Sequence, residues 1–495
     1  MDYDIIIIGS GPGGYKAAVT AAFMGAKVAL IEKNLPGGNC LNQGCVPTKS
    51  LIHVAELLED IQLLQGKGIY GDLKADFDSA VKHKDKVISN IRNNFPVWLK
   101  RLGVHYYQAS ASFIDAHQIH LRYDQASSQA TPQATSHTTK ANTITAKHIV
   151  IATGSHPITH EKCQTDGAII LNSEDFMYHL KTIPRSVLFV GGGAIGVELG
   201  YVMHQFGSKV TIVEQSKQLL NTAKVPDRAR GLLQRKFKQQ GIKFRTNVSV
   251  ASSTVSPSNA TITFTDGLQE NYDNVIVAIG RAPNTTELNL SNTNIAIDDD
   301  GFIITNQYLE TAEPHIYAIG DVKQQGPSTA NAALHDAKIA ATNACQGNQL
   351  TSNYHKVPTV IYSSLQIASV GLSEDQADAA GFEPEVARSN FSASVKALTQ
   401  HETEGYTEIT HDEETGQLLG GCIVGRDAGE QIQMLTAAVQ SERGLWFFND
   451  INYSHPSWCE ELENTINPFT SEFTRSGNNV FRPGIYAPAT KNNPK

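Results

Sequence analysis

Cys40 and Cys45, five residues apart, are the first side chains here whose type and spacing suggest chemistry. A close thiol pair can be two buried hydrophobes, half of a zinc site, or a couple that cycles between dithiol and disulfide. Zinc usually needs a second close pair, and Cys163, Cys345, Cys422 and Cys459 stand singly. Six cysteines in 495 residues are also too few for a disulfide scaffold. A redox dithiol is the better account, because a helical pattern follows the pair and a thiolate near a helix start is stabilised as a nucleophile. Towards the other end, His455 is followed by Pro456 and, five residues on, by Glu460. A histidine titrates near neutral pH and a carboxylate can orient it, so these two are a candidate general base and its positioning acid.

The elements around the cysteines are nucleotide-binding units. Residues 1–32 read as strand, glycine turn, helix and strand, with Gly9-x-Gly11-x-x-Gly14 at the turn and Glu32 ending the second strand. The first glycine permits the turn, the second lets backbone approach a pyrophosphate, and the third lets helix pack on strand. The helix amino terminus attracts the anion, and the acid accepts from a ribose diol. The same construction recurs with Gly191-x-Gly193-x-x-Gly196 and Glu214, and in both copies the acid lies eighteen residues past the third glycine. One such motif is weak, but two in the same context imply two dinucleotides, a flavin and a nicotinamide. Glu214 favours NAD, since a carboxylate there repels the 2′-phosphate of NADP; Lys217 is the counter-indication, and no arginine follows.

Composition sets limits on partners. With 40 Lys and Arg against 49 Asp and Glu, the net charge of −9 offers no basic footprint for nucleic acid or membrane. The amino terminus lacks the basic stretch of a secretory signal, so a cytoplasmic location is expected.

The segment GGNCLNQGCVPTK resembles the active-site segment of the class I pyridine nucleotide-disulfide oxidoreductases, the family that contains dihydrolipoamide dehydrogenase, glutathione reductase and mercuric reductase. The resemblance continues through IVIATGS (149–155), which contains Gly154, and VIVAIGRAPNT (275–285), which contains Gly280, as domain crossings. IYAIGDV (316–322) resembles the second flavin motif, placing Asp321 on the ribityl chain, and 358–374 resembles the start of the interface domain. The resemblance implies FAD and NAD as cofactors and a redox-active Cys40–Cys45 disulfide. It assigns substrate exchange to Cys40 and the flavin-facing, charge-transfer thiolate to Cys45. It makes Lys49 and Glu198 an ion pair beside the flavin, and it makes His455, oriented by Glu460, an acid-base catalyst supplied by the partner subunit of a homodimer.

The implied fold is α/β: two Rossmann-like dinucleotide-binding domains followed by an α+β dimerisation domain. The flavin domain is expected at 1–150 and 280–345, the NAD domain at 151–279 and the interface domain at 346–495. The polar stretch 124–146 reads as an exposed loop or hairpin expansion and 482–495 as an extended tail. NAD preference disfavours glutathione reductase, and the absence of a terminal cysteine pair disfavours mercuric reductase. The dihydrolipoamide dehydrogenase branch then implies a lipoyl-bearing carrier protein, or lipoyl domain of a multienzyme complex, as partner. The rival readings are an NAD(P)H-dependent reductase of another disulfide or a metal ion, and a carrier-binding flavoprotein with a mainly structural role. Trp458 and Cys459 depart from that branch beside the proposed base, as do Gln366 in the interface segment and Ala194 after the second fingerprint.

Overall fold

The computed structural model describes residues 1–123 and 142–467. Its first unit runs β1 (Tyr3–Ile8), α1 (Pro12–Phe23), β2 (Val28–Glu32), α2 (Gly38–Asn42), α3 (Cys45–Leu64), α4 (Phe77–Arg101), β3 (His105–Gln108), β4 (Ser110–Asp115), β5 (Gln118–Arg122) and β6 (Thr143–Ile151). The strand order is β3-β2-β1-β6-β5-β4. The apolar run of β1 is buried on both faces, as a central parallel strand requires, and pairs in parallel with β2 and β6. Pro12 opens α1, where its missing N–H costs nothing. Residues 143–146, read from the sequence as part of a loop expansion, instead open β6, with Thr143–Thr145 pairing antiparallel to β5. Ile144 is the buried anchor that fixes this register. Residues 124–141 of that expansion, and the tail 482–495, lie outside the described residues.

After β7 (Ser155–Pro157) the second unit follows: β8 (Ile170–Asn172), α5 (Ser173–His179), β9 (Ser186–Val190), α6 (Ala194–Gln205), β10 (Lys209–Glu214), α7 (Asp227–Gln240) and β11 (Lys243–Thr246). A three-stranded antiparallel sheet, β12 (Val250–Val255), β13 (Ala260–Phe264) and β14 (Gln269–Tyr272), leads into β15 (Asn274–Val277). The second main sheet is parallel throughout, in the order β11-β10-β9-β15-β8. The chain then returns through β16 (Arg281–Pro283), which pairs antiparallel with β7, to β17 (Ile316–Ala318), which joins the first sheet beside β6. The helix α8 (Ala330–Gln346) is capped by Thr329, whose side chain accepts from Ala332 N, and packs on α1.

The last part is a five-stranded antiparallel sheet. Its strands β18 (Thr359–Ile361), β19 (Gln366–Gly371), β20 (Pro384–Asn390), β21 (Tyr406–Asp412) and β22 (Leu418–Gly425) lie in the order β18-β19-β22-β21-β20. Four helices, α9 (Glu374–Ala379), α10 (Val395–Gln400), α11 (Ala428–Gln440) and α12 (Trp446–Asn449), precede α13 (Glu460–Ile466). The buried face of α11 packs on β19 and β22, and Trp458 and Leu462 join that core. Among the described residues no helix is long and apolar enough to cross a membrane.

Candidate functional site

The two glycine turns have the same construction. A Cβ on Gly9 would lie 2.3 Å from Ala152 O, and one on Gly191 would lie 2.3 Å from Ala278 O. Both glycines have φ above +100°, which an L side chain rarely adopts. A Cβ on Gly14 or Gly196 would collide with the carbonyl oxygen of the turn's own first glycine, at 1.8 and 2.1 Å. Packing therefore explains the first and third glycines. It does not explain the second: a Cβ on Gly11 or Gly193 would meet nothing within 4 Å. The space beside these two is where a dinucleotide backbone fits.

Each acid is held by its own turn. Glu32 accepts from Ser10 N at 2.9 Å, Ser10 Oγ at 2.7 Å and Asn34 N at 2.8 Å, while Glu214 accepts from Gly192 N and Ser216 N, both at 2.8 Å. Both carboxylates are thereby fixed at the ends of β2 and β10.

A cleft of about 1400 Å³ runs along the first unit. It exceeds the roughly 300–1,000 Å³ of ordinary small-molecule pockets, which suits an extended dinucleotide together with a second reactant. Gly9, Gly11, Glu32, Gly154 and Asp321 line it, as do Cys40, Cys45, Lys49 and Glu198. Gly14 and Gly280 are not on its wall, though their neighbours Gly13 and Arg281 are. Of the second unit, Ala194, Ile195, Glu198 and Leu199 reach it, whereas Gly191, Gly193, Gly196 and Glu214 do not. On the wall beside the cysteines, Asn39 Oδ1 is buried without a protein partner, an orphaned acceptor of the kind a bound cofactor would satisfy.

Cys45 is the first residue of α3, and Cys40 lies in the short α2 before it; both are free thiols. Hydrogen bonding between the two thiols holds Cys45 below its usual value and pushes Cys40 up. The Lys49 ammonium adds to the depression of Cys45. Lys49 stands one turn after Cys45, so both project from one face of α3. Its Nζ donates to Glu198 Oε2 at 2.9 Å, across 149 residues of chain. Burial disfavours the Lys49 charge, but Glu198 outweighs it and the ammonium is held above its ordinary value.

Asp321 accepts from Ser155 Oγ at 2.8 Å, Arg281 Nε donates to the same hydroxyl at 2.8 Å, and an Arg281 Nη donates to Glu174 Oε1 at 3.0 Å. Ser155 and Arg281 lie in the two crossing segments, which are further joined by Asn284 Nδ2 donating to Thr153 O at 2.9 Å. Sequence reasoning noted these motifs without singling out Ser155, Arg281 or Glu174. The pairing of β7 with β16 that brings them together is a long-range feature, invisible to local periodicity.

His455 Nδ1 lies 2.8 Å from Glu460 Oε1, and Glu460 Oε2 accepts from Ser457 N at 2.5 Å. An ionised carboxylate can only accept, so Nδ1 carries a proton, and in the neutral ring this leaves Nε2 as the acceptor. Burial, the largest single influence, pushes the Glu460 carboxyl up, but the Ser457 N–H and the His455 ring together outweigh it and hold it below the usual carboxylate range. The imidazole is 69% exposed, and neither residue lines the cleft of its own chain.

Residues 3–337 match the pyridine nucleotide-disulphide oxidoreductase family and 357–466 match its dimerisation domain. The chain belongs to this family. Dihydrolipoyl dehydrogenase from Thermus scotoductus is 33% identical over 93% of this chain and 96% of its own length. The Chlamydia muridarum protein of the same name is 32% identical, over 92% and 95%. Among solved structures, the HOCl-induced flavoprotein disulfide reductase RclA from Escherichia coli superposes with a TM-score of 0.79 at 26% identity, covering 94% of this chain and all of that one. LpdA from Mycobacterium tuberculosis shares the fold, with a TM-score of 0.85 at 22% identity over 94% and 99%. As a member of the family the protein is an FAD-dependent, NAD-linked disulfide oxidoreductase, with Cys40 and Cys45 fitting its redox-active pair. Its dimerisation domain accords with a homodimer.

Proposed function

We propose that the substrate is a dihydrolipoyl group borne on a carrier protein or on the lipoyl domain of a multienzyme complex, and that NAD is reduced as it is oxidised. The observation that carries this reading is the meeting of Cys40, Cys45, Lys49 and Glu198 in one cleft beside the first fingerprint, in a chain similar to dihydrolipoyl dehydrogenases over nine-tenths of its length. The division into flavin segments 1–150 and 280–345, an NAD segment 151–279 and an interface segment 346–495 belongs to the same reading.

In the oxidised pair, a substrate thiolate attacks Cys40 Sγ. The Cys40–Cys45 bond breaks, a substrate–Cys40 disulfide forms, and Cys45 leaves as a thiolate stabilised by Lys49 and the α3 amino terminus. The second substrate thiol gives its proton to Nε2 of the partner subunit's His455 and attacks its own neighbouring sulfur, releasing Cys40 and the cyclic disulfide. Glu460 keeps that ring in the tautomer with Nε2 unprotonated. Held along Gly9, Gly11, Glu32 and Asp321, FAD would supply the two-electron relay between the dithiol and NAD. Lys49 and Glu198 supply a fixed charge pair on the cleft wall, while Glu32, Asp321 and Glu214 bind and orient the cofactors.

A second reading follows from the likeness to RclA: the same residues run in reverse, with NADH or NADPH reducing another disulfide or a metal ion. Steady-state rates separate the two. Turnover of dihydrolipoamide with NAD at least tenfold above glutathione disulfide or Hg(II) reduction supports the first, and the opposite order overturns it. The role of His455 has its own test in mixed dimers. Cys45→Ser and His455→Ala homodimers are each expected to lose over a hundredfold in turnover. Co-assembled, they regain activity, because one site then holds an intact cysteine pair and an intact histidine.

A further inference from the structure

Tyr362 touches both members of the Lys49–Glu198 pair. It follows β18 directly, on the turn to β19, and lines the cleft. Its ring faces Lys49, whose Nζ is 4.2 Å from the ring centroid. Its backbone N–H donates to Glu198 Oε1 at 3.0 Å, so one carboxylate oxygen is held by Tyr362 and the other by Lys49. The turn is pinned on either side of this contact. Ser363 Oγ donates to Val197 O at 3.0 Å on α6, and Gln366 Nε2 donates to Glu56 Oε1 at 3.0 Å on α3. The departure at Gln366 noted in the sequence thus has a place in the fold: it ties the helix that carries Cys45 and Lys49 to the interface sheet. Gln366 Oε1 also accepts from Gly429 N at 3.2 Å, which orients the amide.

A lysine ammonium on four methylenes has many rotamers, and one carboxylate bond leaves it free to swing. An aromatic face removes that freedom, because the ring quadrupole attracts the cation where the carboxylate already holds it. We propose that Tyr362 is a positioning residue for the reaction, fixing the Lys49 ammonium with its ring and the Glu198 carboxylate with its backbone so that the Lys49 charge acts on Cys45 from one place. This rests on the reading of Lys49 and Glu198 given above. Cys40 from α2, Lys49 from its own helix and Glu198 from α6 face Cys45. Lys49, Glu198, Cys45 and Glu430 of α11 face Tyr362.

The Lys49 charge favours the thiolate, so unanchoring it raises the pH at which the Cys45 thiolate appears. That midpoint is read in the reduced holoenzyme from the long-wavelength absorbance of the thiolate against the flavin, followed across pH. Tyr362→Phe keeps the ring and is expected to leave the midpoint in place. Tyr362→Leu and Tyr362→Met lose the ring and are expected to raise it by about half a unit to one unit, a roughly three- to tenfold change in the thiolate equilibrium. Lys49→Gln supplies the reference shift, and adding Tyr362→Leu to it should change nothing further. A shift in Lys49→Gln with none in Tyr362→Leu or Tyr362→Met overturns the role of Tyr362 and leaves that of Lys49 standing. No shift in Lys49→Gln removes the reading on which the inference rests.

Discussion

In the first dinucleotide unit Gly9 N donates to Ile31 O at 2.8 Å and Ala152 N to Ile8 O at 2.8 Å; in the second, Gly191 N donates to Val213 O at 2.9 Å and Ala278 N to Val190 O at 2.8 Å. The strand order repeats as well, β3-β2-β1-β6 against β11-β10-β9-β15. The backbone that receives a dinucleotide is therefore the same device used twice. The units diverge in what they attach to it. After β2 the first unit places the cysteine pair and the helix α3, with Lys49 on its first turns, whereas the second sends Glu198 out from α6 to meet Lys49. The Lys49–Glu198 pair forms where an appendage of one unit meets the helix of the other, and neither unit contains it alone. A smaller difference lies at the residue after the first glycine. Ser10 Oγ bonds Glu32 and also accepts from Gly37 N at 3.0 Å, whereas a Cβ on Gly192 would meet Leu219 Cδ2 at 2.5 Å.

Five substitutions probe how far the likeness extends. Gly14→Ala and Gly196→Ala place a methyl group on a carbonyl oxygen, and each should cost about 3 kcal/mol or more of stability, read in denaturant unfolding. An undisturbed unfolding curve for one of them would break the equivalence of the turns. Gly11→Val and Gly193→Val fill open space and should leave the fold intact, yet separate the cofactors. The first should release FAD from the purified protein, and the second should keep FAD while raising the KM for NAD at least tenfold. Loss of FAD in both would mean that the second unit does not bind the nicotinamide. Ser10→Ala should remove about 1 kcal/mol from the first unit by leaving Glu32 and Gly37 one hydrogen bond short. Gly192 offers no counterpart, so this effect belongs to the first unit alone.

The turns were legible because much of what they require is local: Gly14 and Gly196 crowd the first glycine of their own turn, Gly9 and Gly191 take a positive φ, and the acids sit at a fixed distance from them, whereas the Ala152 and Ala278 carbonyls that also crowd Gly9 and Gly191 lie just past distant strands. The cysteine pair was legible for the same reason. The two ends of the Lys49–Glu198 bond, 149 positions apart, were matched by motif position rather than by any feature of the chain between them. Tyr362, Ser155, Arg281 and Glu174 escaped because their partners come from strands and helices distant in sequence, and nothing in their spacing marks them. The strand start at 143–146 was hidden by polar composition, since Ile144 is its one large buried side chain, beside two threonines and the small Ala146.

The most direct test is an anaerobic titration of the purified holoenzyme with dihydrolipoamide, followed by addition of NAD. A long-wavelength flavin band that grows with two electrons per subunit, is absent in Cys45→Ser, and decays with formation of NADH is the expected result. A flavin that dihydrolipoamide leaves unchanged, but that NADH or NADPH reduces, would contradict the proposed substrate and direct the search to other disulfides or to metal ions.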